Sequence, residues 1–283
     1  MQKNTQKTLK KPILITGASS GIGYYCLKEL SKDSDYLVYG TCRKDEDLKR
    51  LQKEGLNVLK LDLTDSDSIK KCVDEFLQKS DGKIFALFNN AGFGQPGAVE
   101  DIKREILKEQ FETNLFGLHE ITTLFLPIMR KQGYGKIINH SSVLGIISLR
   151  FRGAYNASKY ALEGLSDTLR LELMDTDISV SLVESGPIRS DFRKNALNKF
   201  LQNIDRDNSP FKDEYKQKLK ALQSSEDVPF TLGEDAVYEV LLKILNSKNP
   251  KARYRVTKVT TIFWFLKRVL STRLLDKVLR WVE

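Results

Sequence analysis

The sequence predicts an α/β fold: a doubly wound sheet of about seven parallel strands with helices on both faces. Two observations predict it. Short apolar runs near residues 13, 37, 58, 84, 136, 178 and 253 alternate with helical stretches along residues 12–256. Such alternation implies a parallel sheet covered on both sides. The first run also ends in a glycine-rich turn that opens straight into a helix. At 283 residues the chain can form one domain with an ample core.

The elements follow in order. Pro12-Ile13-Leu14-Ile15-Thr16 reads as a buried strand, and Gly17-Ala18-Ser19-Ser20-Gly21-Ile22-Gly23 as the turn after it. A helix runs from Ile22 to about Leu30. A second strand spans Tyr36 to Cys42, a third ends at Asp62, and a fourth precedes Asn89. Lys136-Ile137-Ile138-Asn139 forms a fifth. The helix from Gly153 to Asp175 carries Leu162, Leu165, Leu169 and Leu173 as an apolar stripe for core or subunit packing.

The strand, glycine turn and helix together suit a dinucleotide. Glycines let a pyrophosphate approach the backbone closely, and a helix N-terminus offers free N–H groups and a positive dipole end. A second constellation suits proton transfer. Tyr155 and Lys159 are four residues apart, hence on one helix face, with Ser142 thirteen residues upstream. A lysine ammonium beside a phenol should lower the phenol's pKa from about 10 and make it a general acid/base. Alone, most such pairs are helix-surface packing.

The glycine spacing is G-x-x-x-G-x-G. With it, the chain resembles the short-chain dehydrogenase/reductase family, of the type with a TGxxxGxG turn and a YxxxK site. Within that family, Arg43, the Gly186-Pro187 pair and the segment Lys251-Ala252-Arg253-Tyr254-Arg255-Val256 make it resemble the hydroxysteroid- and retinol-type branch. Asp62 and Leu63 resemble the adenine-contacting segment, Asn89-Asn90-Ala91-Gly92 the family's NNAG segment, and Asn114 the asparagine before the serine strand. The match covers roughly residues 12–195. It implies a Rossmann-like fold and catalytic roles for Asn114, Ser142, Tyr155 and Lys159. It further implies cofactor contacts from Gly17, Ser19, Ser20, Gly21, Ile22, Gly23, Asp62, Leu63, Asn90, Ala91, Gly92, Tyr155, Lys159, Gly186, Ile188 and Ser190. By resemblance, Lys159 also binds the nicotinamide ribose and Asn114 holds Lys159 through a water. One departure stands out: Glu184-Ser185-Gly186-Pro187 has serine where the family often has proline.

After the second strand, where an NAD site usually has a carboxylate, the chain has Thr41-Cys42-Arg43-Lys44. Arg43 can pair with a 2′-phosphate, which favours NADP(H) over NAD(H). The alternative is an arginine that stacks on adenine and accepts both. Nothing in the scheme needs a metal: the only histidines are His119 and His140, and Cys26, Cys42 and Cys72 lack ligand spacing. His140, before Ser141-Ser142, reads as a strand-end residue rather than half of a Ser-His pair. Three scattered cysteines suggest a reducing compartment, and the polar start is no signal peptide, so the expected location is cytoplasmic.

Three regions complete the organisation. Residues 1–11 read as a flexible basic N-terminus, and 12–256 as the catalytic domain. Within it, about 191–230 is a substrate loop whose Phe192, Leu197, Phe200, Leu201, Phe211 and Tyr215 line the pocket or pin a lid. Residues 257–283 read as a basic amphipathic helical extension. Nine Lys/Arg face two acids in 251–283, and Ile262, Phe263, Trp264, Leu266, Val269, Leu270, Leu274, Leu275, Val278, Leu279 and Trp281 recur at helical spacing. Such a segment lies on an anionic membrane surface, closes the substrate pocket or forms an oligomer interface. Dimers and tetramers are common in the family. The charge comes with no nucleic-acid reader motif.

The expected activity is hydride transfer between NADP(H) and an apolar carbonyl or alcohol: an aldehyde, a ketone, or a steroid- or retinoid-like molecule. The alternatives are a 3-oxoacyl thioester reductase, which a basic patch beside the pocket would support, and a non-catalytic NADPH-binding regulator.

Overall fold

The computed structural model describes residues 10–223 and 228–281. Most of the N-terminal segment expected over 1–11 therefore lies outside the described residues, and its last residue, Lys11, already belongs to the sheet. In chain order the elements are β1 Lys11–Ile15, α1 Gly21–Leu30, β2 Tyr36–Cys42, α2 Asp45–Lys53, β3 Val58–Lys60 and α3 Ser66–Lys79. Next come β4 Ala86–Asn89, α4 Arg104–Phe111, α5 Gly117–Gln132, β5 Gly135–Ser142 and α6 Gly153–Glu172. The last are β6 Ile178–Ser185, α7 Phe192–Asn203, α8 Lys212–Gln223, α9 Asp235–Asn246, β7 Arg253–Arg255, α10 Lys258–Val269 and α11 Thr272–Trp281.

All seven strands are parallel, in the order β3-β2-β1-β4-β5-β6-β7. Each of the seven apolar runs in the sequence falls on one of them. Successive residues of β1 divide between two cores, because side chains alternate across a strand. Ile13 and Ile15 pack with Leu27, Val237 and Leu241 on the side of α1 and α9. Leu14 packs with Phe76, Ile121 and Phe125 on the side of α3 and α5. Each fully buried aliphatic or aromatic side chain contributes about 1.5–3 kcal/mol. Local signals set the ends: Asp65 caps α3 by accepting from the backbone N–H of Asp67 and Ser68, and Gly133 ends α5 at φ 81°.

From β1 the strands are laid down in opposite directions across the sheet, β2 and β3 to one side and β4 to β7 to the other. The crevice this leaves at the carboxyl ends of β1 and β4 is where ligands bind in open parallel sheets. On the far side of the sheet, short β7 carries Arg253 into a knot of carboxylates. Its Nη2 donates to Glu163 Oε2 at 3.0 Å and Asp167 Oδ2 at 2.7 Å. Its Nε lies 3.0 Å from Glu184 Oε1, close enough for ion pairing but poorly aligned for a hydrogen bond.

Burial, followed by the neighbouring Glu163, pushes the Glu184 carboxyl up to about 7. The folded protein therefore holds a proton on Glu184 that the unfolded chain has already lost, between the ordinary carboxylate range and about pH 7. In that window folding stability falls as pH rises. Glu184→Gln should flatten this slope, read as the urea midpoint at pH 5 against pH 7.5; an unchanged slope would place the titrating group elsewhere.

Candidate active site

A cleft of about 1430 Å³ opens at the carboxyl ends of the central strands. The turn after β1 and the segment after β4 form one wall. Gly17 has φ +68°, and a Cβ there would come 2.7 Å from Ala91 Cα, so only glycine lets the two segments meet. Asn90 locks them: its Nδ2 donates to the carbonyls of Thr16 and Gly17, both at 3.1 Å. Helix α1 starts against this wall with no acidic residue in its first turn, and Ser20, its N-cap, makes no side-chain cap bond. Its first N–H groups are available to an anion. Gly23 sits so close beneath that a Cβ would collide with the Gly17 carbonyl.

The expected residues gather here in most cases. Gly17, Ser19, Ser20, Gly21, Ile22, Asn90, Ala91, Gly92, Ser142, Tyr155, Lys159, Gly186, Ile188 and Ser190 all line the cleft. Arg43, Asp62 and Leu63 lie outside its lining, along the same carboxyl edge at β2 and β3. Arg43 is exposed and Leu63 is buried. Asp62 Oδ1 accepts from the Thr64 backbone and hydroxyl at 3.0 and 2.8 Å. Asn114 is fully buried in a π-helical turn, Glu112–Phe116, between α4 and α5. Its side chain accepts from Phe93 N at 3.1 Å and donates to Phe93 O at 3.0 Å and Ser158 Oγ at 3.1 Å. Both ends of the amide are thus engaged away from Lys159.

Ser142, at the end of β5, and Tyr155, in the first turn of α6, both line the cleft, near enough for the serine hydroxyl to act on the phenol. The Tyr155 ring stacks edge-on against Phe192, centroids 5.3 Å apart. The depressed phenol pKa expected from the lysine spacing is not what the protein alone shows. Burial pushes Tyr155 up to about 12, with nearby Ser142 and Arg152 working against it. Lys159 Nζ turns to the His140 carbonyl, donating at 2.7 Å. It lies 5.7 Å from the Tyr155 ring centre. Burial lowers the lysine to about 8, opposed by Glu163 one turn further along α6. Glu163 in turn accepts from Ser141 Oγ, beside Ser142. His140 is a strand-end residue as expected, and its ring takes no part with Ser141 or Ser142.

The other half of the cleft is apolar. Val143, Leu144, Ile147, Leu149, Leu197, Phe230, Ile262 and Phe263 line it. The segment after β6 splits in function: Phe192 and Leu197 face the cleft, whereas Phe200, Phe211 and Tyr215 pack on Phe151 and Ala98 and pin α7 and α8 to the body. Leu201 is exposed. Tyr215 is anchored by its hydroxyl, which donates to Asp101 and accepts from Ala98 N at 2.8 Å.

The C-terminal extension closes the far end. Leu275 and Leu279 of α11, with Phe263 and Trp264 of α10, pack on Val143, Ile146 and Ile147. Lys267 donates to the Ile146 carbonyl and to Tyr160 Oη. Sequence reasoning missed the basic residues of the wall, Arg152, Arg189, Arg193, Lys194 and Lys218. They are dispersed along the chain, and no spacing announces that they converge.

Comparison with known proteins agrees with this architecture. Residues 11–200 match the family model described as short chain dehydrogenase. An uncharacterized oxidoreductase, YbbO, from Escherichia coli K12 is 40% identical over 277 residues, 98% of this chain and 96% of that protein. A 3-ketodihydrosphingosine reductase from Bacteroides thetaiotaomicron is 34% identical over 256 residues, 89% of this chain and 90% of that protein. The crystal structure of a variant actinorhodin polyketide ketoreductase with NADPH superposes with a TM-score of 0.71 at 25% identity, covering 87% of this chain and 95% of that one. With the family model spanning most of the sheet and relatives matched along nearly their whole length, the chain belongs to the short-chain dehydrogenase family of oxidoreductases.

Proposed function

We propose that the protein is an NADP(H)-dependent reductase of a carbonyl carried on a long apolar chain. The observation that carries this reading is the continuity of the cleft. It runs from Ser142 and Tyr155 to an apolar end built from β5's following loop, α7 and α10. The 3-ketodihydrosphingosine reductase among the relatives supports it, since that substrate name denotes a lipid ketone.

The residues present fit a dinucleotide. Gly17, Ser19 to Ile22 and Asn90 to Gly92 would hold its phosphates and nicotinamide side, with Gly186, Ile188 and Ser190 opposite. Asp62 and Leu63 would meet the adenine, and Gly23 lets α1 pack closely enough to offer its N-terminus. When bound, the nicotinamide supplies the hydride. Tyr155 gives its proton to the alkoxide oxygen, and a phenol held near 12 carries that proton at any working pH. Ser142 donates to the same oxygen as charge develops. Lys159 supplies a nearby cation and a ribose contact. Its link to Asn114 would run through a water on the Asn114 main-chain carbonyl, the side chain being engaged elsewhere.

A 3-oxoacyl thioester is the second reading, favoured by the basic wall residues Arg152, Arg193, Lys194 and Lys218, which suit an acidic carrier. NADPH oxidation across carbonyls of increasing chain length, with a 3-oxoacyl thioester in the panel, separates the two. Turnover that rises with apolar chain length supports the first; turnover confined to the thioester supports the second. Tyr155→Phe should lower kcat about 10²–10⁴-fold while NADPH binding persists. Activity should also decline above about pH 8, as Lys159 loses its charge. Undiminished turnover in the phenylalanine variant would remove Tyr155 from the proton-donor role.

For the cofactor, the residues after β2 support NADP(H). Two of the acids that follow are engaged: Asp45 pairs with Lys60 at 2.7 Å and Asp47 with Arg50 at 3.3 Å. Arg43→Ala should raise KM for NADPH about ten- to hundredfold, the worth of a charge-assisted hydrogen bond, and leave KM for NADH unchanged. Equal changes for both cofactors would mean that Arg43 only stacks.

The outer face of α10 and α11 supports a further part of the reading, peripheral contact with an anionic membrane. No helix among the described residues is long and apolar enough to cross one. Phe265, Val269, Leu274 and Trp281 are exposed on these helices, interleaved with Lys258, Arg268, Arg273, Lys277 and Arg280. The protein should sediment with phosphatidylglycerol vesicles and not with phosphatidylcholine ones. Binding to neither, with a dimer in light scattering, would make this face an interface between copies of the chain.

A further inference from the structure

Ser185 stands where the family's proline is usual, and the structure gives that serine a partner. His140 is buried between two polar side chains from different strand ends. Its Nδ1 lies 3.0 Å from Asn90 Oδ1, and its Nε2 lies 2.9 Å from Ser185 Oγ. A proline could make no such contact.

The proton positions along this chain follow from the hydrogen bonds. Both N–H groups of the Asn90 amide are committed to the Thr16 and Gly17 carbonyls. Its oxygen must therefore face the histidine, so His140 donates from Nδ1. Nε2 then bears the lone pair and accepts the Ser185 hydroxyl proton; the alternative acceptor for that hydroxyl, the Ser141 carbonyl, is further away at 3.4 Å. Burial, and then the charge of Lys159, holds the imidazole neutral, at about 3.

The same residue grips a third point. Its backbone carbonyl accepts from Lys159 Nζ at 2.7 Å. Three parts of the site thus meet at His140: the glycine wall through Asn90, the start of the Gly186–Ile188 wall through Ser185, and the lysine. Gly186 is pressed from its other side by Thr257, which leaves no room there for a Cβ. The end of β6 is consequently held between Thr257 and the imidazole.

We propose that His140, fixed as the Nδ1–H tautomer between Asn90 and Ser185, is a positioning residue for hydride transfer. It sets the wall at Gly186–Ile188 against the wall at Gly17 and Ala91, with Lys159 between them. Its kinetic consequence rests on the reductase reading; its tautomer and its effect on cofactor affinity do not.

The test combines spectroscopy with a double-variant cycle. The chain holds only two histidines, so ¹⁵N-histidine spectra of the whole protein, assigned with His119→Gln, report His140 directly. The expected signal is a neutral Nδ1–H imidazole unchanged from pH 5 to 8. A titrating ring or the Nε2–H tautomer overturns the proposal. His140→Asn keeps a donor near Nδ1 and does not reach Ser185; Ser185→Ala removes the other half of the same contact. Each should weaken NADPH binding about three- to tenfold, the worth of one neutral hydrogen bond, and the double variant should weaken it no further. With a substrate in hand, each should lower kcat about ten- to hundredfold at nearly constant carbonyl KM, as misplacement of reacting groups does. Additive effects, or lower thermal stability with NADPH affinity and kcat unchanged, would reduce His140 to a packing residue. If no carbonyl in the panel is turned over, the proposed substrate fails, while the spectra and the NADPH affinities still decide the role of His140.

Discussion

A charged lysine of α6, Lys159, buried against the end of β5, is the constraint around which the site is arranged. Removing an ammonium from water costs several kcal/mol unless hydrogen bonds and opposite charge offset it. The His140 carbonyl offers one bond at 2.7 Å. Opposite charge comes from Glu163, one helical turn further on, which favours the ammonium against burial. Glu163 is itself buried and held by Ser141 and Arg253. Arg253 comes from β7, the last strand to join the sheet. The chain of dependence thus runs from the cleft to the sheet edge, and a three-residue strand at that edge bears on the lysine's charge.

The same burial acts on Tyr155 in the opposite sense. It raises the phenol and lowers the lysine, because each shift disfavours the charged form. A phenol that keeps its proton beside a lysine poised near neutrality suits donation to a developing alkoxide. The serine that completes the group is fixed by Leu144 N, which donates to Ser142 Oγ at 3.1 Å. Geometry here comes from two rigid elements, the end of β5 and the first turn of α6, and not from loops.

The far half of the cleft is assembled differently. Its walls are side chains on α7, on the segment around Phe230 and on α10, elements with little hold on the central sheet. They are secured at a distance from the cleft. Phe200 and Tyr215 fasten α7 and α8 to Phe151. Trp264, sandwiched between Arg255 at 4.1 Å and Arg268 at 3.6 Å, fastens α10 beside β7. Anchoring away from the opening leaves Leu197, Phe230 and Ile262 on the rim, where changes in them alter shape without loosening the fold.

This difference explains what could be read from the sequence. The cofactor half is made of backbone, and backbone constraints leave marks: Gly17 and Gly21 occupy positive φ, and Gly23 sits where no Cβ fits. Glycines at fixed spacing between an apolar run and a helix report that geometry directly. Tyr155 and Lys159 were legible for a similar reason, because one helix fixes their separation. The electrostatics were not, since the effect of burial on a phenol depends on what packs over it, and Phe192 arrives from 37 residues away in sequence. The substrate half leaves no such mark. The apolar residues of α10 and α11 have the same periodicity whether they cover a cleft or face solvent. In the structure they do both: Leu279 is buried on Val143 and Ile146, while Phe265 and Trp281 are exposed. The His140–Ser185 contact was hidden in another way. It joins residues 45 positions apart that are brought together by parallel pairing of β5 and β6. The register pairs His140 with Val183, and Ser185, two residues further along β6, comes within reach of the imidazole only through it.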